Sequence, residues 1–168
     1  ILGAKSAIAQ AIVECLEGYD FVLAARRSDQ LEPFAADLRL RRSCRVDLLE
    51  FDALDYAALR ALPQQVHDRF GAFELVVLVF GYLGDQQEAQ RDTDEMEKIL
   101  HTNFSGAAVA LGHLANYLEE RQIPGGIIGI SSVSGDRGRQ SNYLYGSAKG
   151  GFALFLQGLR NRLSSGPI

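Results

Sequence analysis

Apolar residues alternate along this chain between short unbroken runs and stretches where they recur every three or four positions. The runs at residues 21–25, 45–51, 73–80 and 127–130 predict strands. The spaced stretches predict helices. Ile8, Ile12, Cys15 and Leu16 mark one over residues 7–17, and Leu31, Phe34 and Leu38 mark a second. Leu59, Leu62, Val66 and Phe70 mark a third, stopped by Gly71. Asp92, Thr93, Asp94 and Glu95 supply a cap and an acidic first turn for a long helix that Pro124-Gly125-Gly126 ends. The last helix covers residues 143–163. Strand–helix alternation of this kind predicts an α/β fold, a doubly wound parallel sheet with helices on both faces, as a single domain over residues 1–168.

Two helices carry polar residues where the apolar stripe demands carbon. The long helix reads Met96, Leu100, Asn103, Ala107, Leu111, Leu114, Leu118, so Asn103 falls on the buried side. A buried amide without partners costs about 1–3 kcal/mol. Asn103 therefore either bonds a neighbouring backbone segment or helps to build a site. The last helix reads Tyr145, Lys149, Phe152, Leu156, Leu159, Leu163, which places Lys149 on the core-facing stripe. Lysines are almost never fully buried unless paired. Tyr145 and Lys149 lie one turn apart on one face. A nearby ammonium favours the phenolate, which makes a group with a reference pKa of about 10 usable as an acid or base. Tyr143 has Ser147 at the fourth position beyond it and lacks this partner.

Composition narrows the setting. Charged residues make up 23% and apolar residues 47% of 168, with a net charge of −4. No long basic run supports nucleic-acid binding. The cluster Arg39, Arg41, Arg42, Arg45 reads as a solvated face. No apolar run reaches the length of a membrane span, and a reducing, cytoplasmic setting fits two cysteines without metal or redox spacing. Cys15 reads as a buried thiol. His67, His101 and His113 show no metal pattern, and no nucleophile elbow indicates a hydrolase. The start at Ile1 and the loop-like residues 164–168 lead us to expect an initial strand and a C-terminal part outside this chain.

The turn Gly3-Ala4-Lys5-Ser6-Ala7-Ile8-Ala9 stands between a strand end and a helix. A glycine for the turn and small residues after it let backbone approach a pyrophosphate, the Rossmann-type arrangement. An ordinary strand–helix turn reads the same way. The strand at 21–25 ends in Arg26-Arg27, with no acid before Asp29. An arginine at that point accommodates the 2′-phosphate of NADP, so NADP(H) is favoured over NAD(H). Asp52 either accepts from an adenine amine or caps a helix; Asp55 is the better cap. Ser131, Ser132 and Ser134 follow a strand's carboxyl end, and local spacing alone does not choose among them.

Taken in order, Gly3-x-x-x-Ala7-x-Ala9, Asp52, Asn103, Ser132 and Tyr145-x-x-x-Lys149 resemble the short-chain dehydrogenase/reductase family over essentially the whole chain. The family's separation of thirteen residues between its serine and tyrosine selects Ser132. The resemblance implies an NAD(P)-dependent oxidoreductase that reduces a ketone or oxidises the matching alcohol. Tyr145 would be the acid or base, Lys149 would lower its pKa and hold the nicotinamide ribose, Ser132 would polarise the carbonyl, and Asn103 would anchor a water. Cofactor contacts are implied at Gly3, Lys5, Ser6, Ala7, Ile8, Arg26, Arg27, Asp52, Ala53, Phe80 and Gly81, together with Tyr145 and Lys149. Assembly as a homodimer or homotetramer through the helices bearing Asn103 and Tyr145 is likewise implied.

The chain departs from the family in two places. Alanines stand for the second and third turn glycines, and Leu78-Val79-Phe80-Gly81 stands for the usual Asn-Asn-Ala-Gly. The stretches Phe51-Asp52-Ala53-Leu54-Asp55, Phe80-Gly81-Tyr82-Leu83-Gly84-Asp85 and Arg139-Gln140-Ser141-Asn142-Tyr143-Leu144-Tyr145-Gly146 are similar to decaprenylphosphoryl keto-pentose reductases, which implies a keto-sugar or similar ketone. The arginine pair departs from that subgroup. Two alternatives stand beside this reading. One is a nucleotide-sugar epimerase or dehydratase with retained NAD, against which the four-residue gap from Gly3 to Ala7 argues. The other is a non-catalytic NADP-binding sensor or scaffold, against which the presence of both Tyr145 and Lys149 argues.

Overall fold

The computed structural model describes residues 1–168. Strand β1 (Phe21–Ala25) pairs in parallel with β2 (Val46–Glu50), and β3 (Leu75–Leu78) with β4 (Gly126–Gly129). Leu2 joins the two pairs through parallel bridges to Ala24 and Leu78. Its N–H donates to the Val77 carbonyl at 2.8 Å, and its own carbonyl accepts from Val79 N–H at 2.9 Å. The order across the sheet is therefore β2, β1, Leu2, β3, β4. The chain leaves Leu2 toward one edge and returns to the other side of it, which creates a crevice at the carboxyl ends of the strands.

Helices cover both faces, and alternate residues of β1 enter different cores. Phe21, Leu23 and Ala25 join Val13 of α1 (Ala7–Cys15) and Ala35 and Leu38 of α2 (Glu32–Arg42). Ala24 instead joins the larger core, built with α3 (Tyr56–Phe70), α6 (Gly106–Glu120) and α7 (Tyr143–Leu163). The doubly wound parallel architecture expected from the sequence is the one present. Strand β3 is shorter than the run at 73–80, and β4 starts one residue before the expected 127.

Helix α1 corrects one face assignment. Its buried residues are Ala9 and Val13, four apart. Cys15 lies two positions past Val13, about 200° further round at 3.6 residues per turn, and is exposed. Ile8 is 57% exposed. The larger side chains had suggested the wrong stripe; a small residue, Ala9, packs against Val77 and Val79. The basic cluster also differs from a merely solvated face. Arg42 donates to the Val13, Glu14 and Leu16 carbonyls at the end of α1, Arg41 pairs with Glu14 and Asp37, and Arg45 pairs with Asp47.

A short helix α4 (Gln86–Ala89), capped by Asp85, precedes α5 (Thr93–Leu100), which Asp92 caps. Between α5 and α6 lies one wide π turn, His101–Ser105. Glu95, Ile99, Asn103, Ala107 and Leu111 are all buried. Steps of four drift about 40° each on a 3.6-residue helix. The π turn takes up one extra residue and brings the stripe back into phase. Before it, the buried pair is Glu95 and Ile99 rather than the expected Met96 and Leu100, both of which are only half-buried.

Candidate active site

Lys149 is 3% exposed, and its Nζ donates to the Ile130 carbonyl at 3.2 Å. Burial holds its pKa below the ordinary lysine value. Asn103 is fully buried. Its Nδ2 donates to the carbonyls of Tyr82 at 2.5 Å and Ile99 at 2.8 Å, and its Oδ1 accepts from Tyr82 N–H at 2.9 Å. These two polar intrusions meet at Gly81. A Cβ placed there would lie 3.0 Å from Asn103 Oδ1 and 3.5 Å from Lys149 Nζ. Of the two options read from the sequence, the structure shows the first: Asn103 bonds neighbouring backbone, at Tyr82, directly after Gly81.

Tyr145 is half-buried one turn before Lys149, whereas Tyr143 is 40% exposed. The segment carrying Ser132 is seated on the same turns of α7. A Cβ on Gly146 would fall 2.6 Å from the Ser134 carbonyl oxygen, and one on Gly135 would fall 2.6 Å from Gly150 N. The three serines differ in their bonding. Ser131 Oγ donates its hydrogen to the Lys149 carbonyl at 3.0 Å. Ser134 Oγ accepts from Asn142 Nδ2 at 3.3 Å. Ser132 Oγ accepts from Ser134 N–H at 3.1 Å, and its hydrogen has no protein acceptor.

Beside Gly81 opens a cleft of about 380 Å³. Gly3, Lys5, Ser6, Arg26, Arg27, Asp52, Ala53, Phe80 and Gly81 line it. Ala7 and Ile8 do not, but both are exposed on the first turn of α1, where Ser6 Oγ accepts from Ile8 N–H. Gly3 adopts φ +90°, and a Cβ there would lie 2.6 Å from Phe80 N, so no other residue fits. Asp52 Oδ1 accepts from Leu54 N–H at 3.0 Å, while Asp55 caps α3 through Ala58 N–H. A cavity of about 400 Å³ at the amino ends of the strands, lined by Phe21, Phe73 and Leu75, holds none of the candidate residues.

Sequence reasoning missed Glu50 and Lys98. Glu50 accepts from the backbone N–H groups of Arg27 at 2.7 Å and Ser28 at 2.8 Å. The Ser28 and Arg27 backbone bonds hold its pKa below the usual carboxylate range. They also fix the turn in which Arg27 takes φ +50°. Neither Arg26 nor Arg27 forms an ion pair. Glu50 is the last residue of β2, and Lys98 is one turn before Thr102 on the Asn103 helix; only the topology brings them here. A turn closed to side chains at Gly3 and two guanidiniums without acidic partners fit a nucleotide bearing phosphates.

Comparison with known proteins decides the family. The family model for short chain dehydrogenases matches residues 1–168. The chain belongs to the short-chain dehydrogenase family. An uncharacterized oxidoreductase of Mycobacterium tuberculosis (strain CDC 1551 / Oshkosh) is 39% identical over 97% of the chain, which spans 66% of that relative. Among solved structures, a variant of the actinorhodin polyketide ketoreductase with NADPH superposes with a TM-score of 0.88 at 24% identity, over 100% of this chain and 65% of that one. A short-chain dehydrogenase from Sphingobium yanoikuyae in complex with NADPH gives 0.86 at 25%, over 98% and 64%. The chain thus spans just under two thirds of these proteins and shares the fold of the two solved ones. No helix is long and apolar enough to cross a membrane.

Proposed function

We propose that this protein is an NADP(H)-dependent oxidoreductase that reduces a ketone, or oxidises the corresponding secondary alcohol, with Tyr145 as the acid or base. The observation that carries this reading is Lys149. An ammonium 3% exposed, with one carbonyl partner, is an unfavourable choice for a fold to make. Its position, one turn from Tyr145 and against Gly81 of the cleft, gives that choice a chemical use.

Gly3, Ser6, Ala7 and Ile8 would receive the diphosphate on the first turn of α1, Arg26 and Arg27 a 2′-phosphate, and Asp52 and Ala53 the adenine. Phe80 and Gly81 would present backbone to the ribose that Lys149 binds. A nicotinamide bound there supplies the hydride. Tyr145 gives the carbonyl oxygen its proton, or takes it in the reverse direction, contributing about 10²–10⁴-fold. Ser132 donates its free hydroxyl hydrogen to the same oxygen and sets its position. Lys149 keeps a positive charge beside the phenol, and Asn103 holds the backbone between them and the cleft. The family resemblance makes a keto-sugar the first substrate to test, with other ketones beside it.

The test is NADPH oxidation by the whole protein against a panel of ketones that includes a 2-keto sugar, with Tyr145→Phe alongside. Turnover lost in the variant while NADPH still binds supports the assignment. Unchanged turnover in Tyr145→Phe would remove that residue from the chemistry. NADPH binding without turnover of any ketone would favour a sensor instead.

A further inference from the structure

Lys98 brings a fourth cation to the cleft, from the α5 side, beside Lys5, Arg26 and Arg27. Its ammonium is held in a defined place. Nζ donates to Tyr82 Oη at 3.0 Å, lies 4.1 Å from the centroid of the Tyr82 ring, and stands 3.7 Å from Glu95 Oε2. The Tyr82 hydroxyl faces both Glu95 oxygens at 2.9 and 3.1 Å, and Asp85 N–H donates to Glu95 Oε1 at 3.1 Å. Glu95 itself is 8% exposed.

The plainest role for Lys98 is counter-ion to Glu95. Two observations go further. Glu95 already receives a hydroxyl and an amide, and the ammonium at 3.7 Å is beyond hydrogen-bond range of it. One of the three ammonium hydrogens meets Tyr82; the side chain, 43% exposed, leaves the others to the cleft. The bond to Tyr82 raises the Lys98 pKa above its ordinary value against the effect of burial, and the Glu95 charge adds to the rise more than the Arg26 charge takes from it. Arg26 and Lys98 both line the cleft. Four cations line it against one carboxylate, Asp52. Of the four only Lys98 has an acidic partner, Glu95; like charges gathered this way repel, and a ligand with several negative charges relieves that repulsion.

We propose that Lys98 is a phosphate-binding residue of the cleft, gripping from α5 a dinucleotide that Arg26 and Arg27 grip from the end of β1. This rests on the reading of the cleft as a nicotinamide dinucleotide site. Tyr82 and Glu95 act as the positioning pair, since they fix where the ammonium stands.

The experiment is calorimetric titration of the whole protein with NADPH, NADH and 2′,5′-ADP at two salt concentrations. It compares wild type with Lys98→Met, Lys98→Arg and the double variant Lys98→Met/Glu95→Gln, which leaves no unpaired carboxylate behind. Lys98→Met should weaken NADPH by about tenfold, the cost of one charge-assisted contact. It should also flatten the salt dependence, and the double variant should do the same with an unchanged melting curve. Lys98→Arg should stay within about threefold of wild type. A loss confined to NADPH and 2′,5′-ADP would place the contact on the 2′-phosphate. An equal loss for NADH would place it on the diphosphate, and either supports the proposal. Wild-type affinity for all three ligands in Lys98→Met overturns this proposal and leaves the cofactor site standing. Failure of wild type to bind either dinucleotide overturns both.

Discussion

The side chain of Asn103 bonds the backbone of Tyr82 twice, accepting from its N–H at 2.9 Å and donating to its carbonyl at 2.5 Å. The amide acts as a piece of strand, capping a segment that has just left β3. Replacing it with alanine removes the partner of the part-buried Tyr82 N–H and carbonyl and a donor to the buried Ile99 carbonyl. Asn103→Ala should lose about 1–3 kcal/mol in urea unfolding. Asn103→Asp, which cannot donate while ionised, should not recover it. An unchanged midpoint in either variant would show that water replaces the side chain.

Lys149 should be a residue that the fold would be more stable without. Because burial lowers its pKa, the folded chain sheds this proton before the unfolded chain does. Between the folded pKa and the ordinary value near 10.5 the unfolded state binds more protons, so stability rises with pH across that window. Below it the penalty is fully present. Lys149→Met should raise the unfolding midpoint at neutral pH, with an advantage that shrinks as the pH climbs through the window. Catalysis should fall at least about 10²-fold in the same variant. A pH-independent difference in midpoints would assign the effect to packing instead of charge.

Two glycines of α7 should respond to the same substitution with opposite signs. In an exposed helix interior, alanine for glycine gains about 0.8–1 kcal/mol. Gly158 has nothing within 4 Å of a built Cβ, so Gly158→Ala should show that gain. Gly146→Ala would drive its methyl to 2.6 Å from the Ser134 carbonyl oxygen. It should destabilise the protein and, by shifting the segment that bears Ser132, lower kcat. Thermal unfolding and turnover, measured side by side, check both statements; a gain at Gly146 would mean the segment yields freely.

The Arg26–Arg27 turn should set cofactor choice. Arg26→Asp should weaken NADPH by about 10–100-fold, the range for hydrogen bonds to a charged group, and leave NADH unchanged or tighter. The NADPH affinity of the parent should fall with added salt more steeply than that of the variant. Equal losses for both cofactors would place Arg26 away from the 2′-phosphate.

Much of this was legible before the structure. The β/α alternation set the architecture, and the last helix matches the predicted residues 143–163. Asn103 and Lys149 were visible because each breaks an apolar stripe, a contrast that needs no third dimension. What escaped had physical reasons. Cys15 was misread because a stripe of large residues outweighed Ala9 and Val13, although close approach to β3 favours a small residue. Met96 and Leu100 were assigned to the core because a constant helical period was assumed through a π turn. Glu50 and Lys98 were missed because an isolated charged residue on a strand end or helix face looks solvated until the chain is folded.

That π turn separates two jobs along one rod. Downstream of His101–Ser105, the helix is bound by the large core, where Gly106 leaves no space for a side chain against the Ala53 carbonyl. Upstream, its angular setting decides which residues overhang the cleft. A fold with such a joint can exchange its exposed cleft-lining residues, Lys98 among them, without disturbing the large core downstream. The cleft end of the helix can therefore change what it presents while the core end keeps its packing.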